Sequence, residues 1–169
     1  MASSYLLEAM GKTTELRHEL KRRFLPALER AGFELDLSDA PRLFRFRRMD
    51  TTEAHILEIQ WEKYGRPRFV LNFGRCPSSG VYVRGEHFPI ERVLAGWLKD
   101  GGRLQPKSGA GVGSWFRQDK PLIMRLFSSE KLFPVAAVVD EVLTLYPEIE
   151  GYWSHGQIGP HLRISSHGI

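Results

Sequence analysis

The sequence predicts an α+β fold: a curved antiparallel sheet of four to five strands with helices packed mainly on one face. Three observations predict it. Between Phe44 and Phe73, apolar and polar residues alternate with period two, as half-buried antiparallel strands require. On either side, residues 14–31 and 135–146 carry apolar side chains at helical spacing. Hydrophobic residues make up 42% and charged residues 26% of 169, a balance that favours a self-sufficient core over a disordered or fibrous chain.

The first helix is read from Leu16, Leu20, Phe24, Leu28 and Ala31, with Ser3 or Ser4 capping an earlier turn and Thr13 or Thr14 capping the helix itself. Pro26 removes a backbone donor inside it and predicts a kink. Gly32 supplies the left-handed stop, and Phe33 folds back on the last turn. Strands follow. Phe44 and Phe46 alternate with Arg45 and Arg47; Leu57, Ile59 and Trp61 alternate with Glu58, Gln60 and Glu62. After a turn at Gly65-Arg66-Pro67, Phe69, Leu71 and Phe73 alternate with Val70 and Asn72. Val81–Val83 reads as a fourth strand beyond the Pro77–Gly80 break. A second helix is expected from Pro89, with Ile90, Val93, Leu94, Trp97 and Leu98 as its apolar stripe and Gly101-Gly102 as its end. Residues 103–114 read as a Gly-rich loop, and Leu122–Phe127 fits helix and strand equally. A last helix carries Val135, Val138, Val139, Val142, Leu143 and Tyr146, with Pro147 as its stop. One domain over residues 1–153 is expected, followed by a tail, 154–169, in which His161–Ile164 can add an edge strand.

Composition narrows the function classes. The longest aliphatic run, Val135–Val139, is far short of the ~20 apolar residues of a membrane span. Glu8 stands where a secretory leader needs an apolar stretch, so a cytoplasmic location and no membrane contact are expected. The single cysteine, Cys76, excludes an intrachain disulfide and a multi-cysteine zinc site. Charge is uneven: residues 1–127 carry 22 basic and 15 acidic side chains, and residues 128–169 carry two and five. Nine basic residues fall between Arg42 and Arg84, a stripe able to attract phosphates or an acidic protein surface.

No catalytic signature emerges. Gly109–Ser114 (GAGVGS) lacks the Lys-Ser/Thr that must follow a phosphate loop's glycines, and its glycines miss the dinucleotide spacing. The six histidines are scattered without a helical ligand pair, so no metal and no cofactor are expected. Glu58 and Glu62 stand about 13 Å apart along a strand, beyond the glycosidase windows. Cross-strand pairing with Arg45 and Arg47 is their expected role. In RLFRFRR (Arg42–Arg48) aromatics and arginines alternate, which puts stacking and charge on opposite faces and weakens a nucleic-acid reading.

The helix ending ALERAGF (Ala27–Phe33), the strands LFRFRR (Leu43–Arg48), ILEIQWEK (Ile56–Lys63) and FVLNFG (Phe69–Gly74), the later SWF (Ser114–Phe116) and the C-terminal amphipathic helix appear in one order. In this the chain resembles an uncharacterised bacterial domain-of-unknown-function family (DUF4304-like) over residues 13–150. The resemblance implies an α+β fold with an antiparallel sheet and carries no reaction, cofactor or active-site residue.

The residues themselves point to a non-catalytic interaction module rather than an enzyme, binding a protein partner of acidic character through the arginine-bearing sheet face. An immunity-like or regulatory role in bacteria would fit. The candidate binding residues are Arg45, Arg47, Gln60, Asn72 and Trp115. Two alternatives stand beside it: a nucleic-acid-binding domain, and a small-molecule binder or enzyme with a pocket near Gln60, Asn72 and Trp115.

Overall fold

Alternation along the central strands sends one set of side chains to each face of a sheet, and both faces turn out to be covered. In a computed structural model that describes residues 12–39, 42–109, 114–127 and 132–165, the chain forms an open, antiparallel, seven-stranded sheet. The strands are β1 (Glu34–Asp39), β2 (Leu43–Met49), β3 (Glu53–Trp61), β4 (Arg68–Pro77), β7 (Gly101–Leu104), β8 (Phe116–Arg117) and β9 (Leu162–Ile164). Their order is β1-β2-β3-β4-β7-β9, with β8 pairing the start of β4. The α+β class holds. The sheet is wider than the four to five strands expected, because β1 and the short β7 and β8 carry too few alternations to register, while β9 is the edge strand that His161–Ile164 offered.

Helices α1 (Lys12–Arg23), α2 (Leu25–Arg30), α4 (Val135–Leu145) and α5 (Pro147–His155) accompany the sheet, and Ile123, Met124 and Leu126 of the short α3 (Leu122–Leu126) are exposed. Leu16, Leu20, Phe24 and Leu28 of the N-terminal helices join Phe46, Leu57, Ile59, Trp61, Phe69, Leu71 and Phe73 in one core, with Phe44 packed at its rim. Burying each such side chain is worth roughly 1.5–3 kcal/mol. Pro26 divides the first helix at Phe24, two residues before its own ring. Gly32 adopts φ +85°, and the Phe33 N–H closes the helix end on the Leu28 carbonyl at 3.0 Å. Pro147 does not stop the last helix for good; it occupies the first turn of α5, which runs on to Gly156 at φ +68°.

The second face differs most from expectation. Val81–Val83 (β5) leaves the main sheet and pairs with Glu86–Phe88 (β6) in a separate hairpin. The helix expected from Pro89 is two 3-10 turns, Ile90–Arg92 and Ala95–Trp97, joined by extended Val93 and Leu94. Laid flat, this segment buries Ile90, Val93, Ala95 and Leu98 against Ala54, Ile56 and Cys76, a second small core. An α-helix would have consumed the Glu91 and Val93 carbonyls; here both accept hydrogen bonds from Arg45. Gly101-Gly102 opens β7 instead of ending a helix. Ser3, Ser4 and residues 110–113 of the Gly-rich loop lie outside the described residues, and Leu122–Phe127 resolves as α3 and its end.

Candidate functional site

Register places five polar positions in one row across the second face. Arg45 on β2 faces Glu58 on β3, Glu58 faces Asn72 on β4, Asn72 faces Arg103 on β7, and Arg103 faces Arg163 on β9. All five share a face because Leu57, Leu71 and Leu104 beside them point into the main core. Next to this row lie Gln60, two residues along β3, and Gln105, just past the end of β7. An open cavity of about 540 Å³ sits over the row from Glu58 to Arg163, walled on one side by Leu94–Trp97.

Hydrogen bonds organise the floor. Asn72 donates from Nδ2 to Gln60 Oε1 at 2.9 Å and accepts from Arg103 Nε at 3.0 Å. The Ala95 N–H donates to Glu58 Oε1 at 3.2 Å. Glu58 is 3% exposed, and burial pushes its carboxyl above the ordinary value, while the Ala95 N–H and the Arg45 charge pull the other way. Burial, with Arg163 beside it, lowers Arg103 below an ordinary arginine. Among the described residues no carboxylate pairs with Arg103 or Arg163.

The expectation of a wet guanidinium face on β2 is corrected. Arg45 is 2% exposed, donating from Nε to Asp36 Oδ2 at 2.8 Å and from its two terminal nitrogens to the carbonyls of Val93 and Glu91, each at 2.5 Å. Arg47 shares the same Asp36 oxygen. The expected pairing of Glu58 and Glu62 with Arg45 and Arg47 does not form: Asp36 of β1 takes both arginines. Glu62 instead binds the backbone N–H groups of Tyr64 and Arg66 at 2.8 and 3.2 Å, fastening the β3–β4 turn. Trp115 does not line the cavity; Arg68 stacks over its ring at 5.1 Å. Of the residues chosen from sequence, Gln60 and Asn72 come together in the cavity, and Arg45, Arg47 and Trp115 do not.

Arg103, Arg163 and Gln105 went unselected. Arg103 and Gln105 fall in a stretch that reads as loop, and Arg163 in a short edge strand whose neighbour in the sheet the sequence does not name. Their convergence depends on the pairing of β7 with β9. Among the described residues, no group of three or more His, Cys, Asp or Glu side chains is placed to hold a metal ion, and no helix is long and apolar enough to cross a membrane. Compared with known protein families, curated proteins and solved structures, the chain matches none. Its function is therefore read from this site's own geometry.

Proposed function

We propose that this protein binds a small anionic molecule, a carboxylate or a phosphate, in the cavity between the second sheet face and the 94–97 wall. One observation carries the reading: Arg103 and Arg163 are direct cross-strand partners, Arg103 is held by the neutral Asn72, and neither arginine has a carboxylate partner among the described residues. Like charges in that position repel. A bound anion removes the repulsion, and two planar guanidinium forks match carboxylate or phosphate oxygens in pairs. The concave shape and the few converging amides support the same reading. No catalytic step is assigned to the site.

The test is thermal unfolding in inorganic phosphate or N-acetyl-triglycine, with sodium chloride at matched ionic strength as the control. Saturable stabilisation by at least one of the two anions is expected, following mass action. Its loss in the double variant Arg103→Ala, Arg163→Ala is expected too. Stabilisation no greater than that from chloride, or fully retained in the double variant, overturns the reading.

A further inference from the structure

We propose that the ligand, on the anion-binding reading above, is a short zwitterion of peptide character, its carboxylate held by Arg103 and Arg163 and its amine by Glu58. The row across the sheet puts opposite charges at its two ends. Glu58 on β3 and Arg103 on β7 are separated by one strand, so their backbones stand about 9–10 Å apart. Asn72 between them is engaged on both sides, by Gln60 and by Arg103, and makes a neutral bridge rather than a charge partner for either.

Glu58 also has an unused acceptor oxygen. Its Oε1 accepts from the Ala95 N–H, and its Oε2 accepts no hydrogen bond among the described residues. The guanidinium facing it in register, Arg45, is turned to Asp36 and two carbonyls. Burial disfavours the charged carboxylate, and an incoming ammonium restores it.

Gln105 lines the same cavity beside these groups. An extended tripeptide spans about 10–11 Å. It carries an anion at one end and a cation at the other, one set of groups for Arg103 with Arg163 and for Glu58. A plain phosphate or carboxylate fills the arginine end alone.

Calorimetry with triglycine, N-acetyl-triglycine and triglycinamide separates these ends in the wild-type protein. Triglycine is expected to bind about tenfold tighter than either capped peptide at neutral pH, as a charge-assisted hydrogen bond at each end implies. Glu58→Gln keeps the side chain's shape and its acceptor for Ala95, and is expected to shrink the advantage over N-acetyl-triglycine to less than about twofold. Equal affinity of triglycine and N-acetyl-triglycine overturns the zwitterion and leaves the anion reading standing, as does an advantage that survives Glu58→Gln in a folded variant. Failure of both peptides and of inorganic phosphate to bind overturns both.

Discussion

Arg45 and Asp36 are joined at 2.8 Å in the seam between β1 and β2, and the same guanidinium pins the 90–98 segment through the carbonyls of Glu91 and Val93. One side chain thus ties an edge strand, the sheet interior and the covering segment together. Arg45→Leu leaves two carbonyls without a donor and weakens the hold on Asp36, which keeps Arg47. The expected cost is about 3–5 kcal/mol, the range for breaking a buried ion pair. Urea unfolding should show it as a lower midpoint with an unchanged slope. Asp36→Asn, which spares both carbonyl contacts, should cost clearly less.

Glu58 predicts a stability that falls as pH rises. Its folded carboxyl titrates above the ordinary value of 4.5, chiefly because it is buried. Between the unfolded and folded values the native state binds more protons than the unfolded chain, so stability declines with pH across that window. Glu58→Gln removes the penalty. The variant is expected to gain on the wild type as pH rises from 4 to 7, and the gap should close below the unfolded value. Urea midpoints of both proteins at a series of pH values check this; a gap that widens toward acid contradicts it.

The main core was readable because the large apolar side chains of the central strands recur at every second position, even though Ala54, Ile56 and Cys76 are buried on the other face. Phe46, Leu57, Ile59, Trp61, Phe69, Leu71 and Phe73 were placed on one face by alternation, and all lie in one buried cluster. The other face was misread for a definite reason. A guanidinium sealed under a chain segment and one in water give the same alternation, so Arg45 looked solvated. Ile90, Val93, Leu94, Trp97 and Leu98 fit a helical stripe by spacing, yet within that segment the Glu91 and Val93 carbonyls bond to Arg45 and the Ala95 N–H bonds to Glu58, and tertiary contacts override local preference. Gln60 and Asn72 were legible as neighbours because consecutive strands β3 and β4 carry them. Arg103 and Arg163 lie far apart in sequence, and only the β7–β9 register brings them together.

Tyr152 links the far end of the sheet to α5. Its hydroxyl donates to Asp100 Oδ1, Arg75 Nε pairs with Asp100 Oδ2 at 3.0 Å, and Arg75 also stacks over the Tyr152 ring. Burial and the Asp100 carboxylate push the Tyr152 phenol up to about 12. A raised phenol favours the folded state below its unfolded value near 10 and loses that contribution as pH climbs toward 12. In an alkaline absorbance titration Tyr152 should therefore belong to the late-ionising phase. Tyr152→Phe is expected to remove one phenol from that phase. A late phase of undiminished amplitude contradicts the assignment.

Gly102 holds the arginine pair in place by having no side chain. A Cβ there would come within 2.4 Å of the Arg163 carbonyl oxygen and 3.0 Å of the Phe73 ring, and the first of these is backbone that cannot turn aside. β9 pairs with the sheet through β7 alone, so Gly102→Ala must push β9 outward or strain β7. The expected cost is about 1–3 kcal/mol in thermal unfolding, as for overpacking elsewhere. Because the displaced strand carries Arg163, the same variant should lose most of the stabilisation by inorganic phosphate or N-acetyl-triglycine while Arg103 remains. Gly96→Ala is the control: its Cβ would meet nothing within 4 Å although the residue lies in the cavity wall. If Gly102→Ala keeps full anion stabilisation while its melting temperature falls, the position of Arg163 is not what holds the anion.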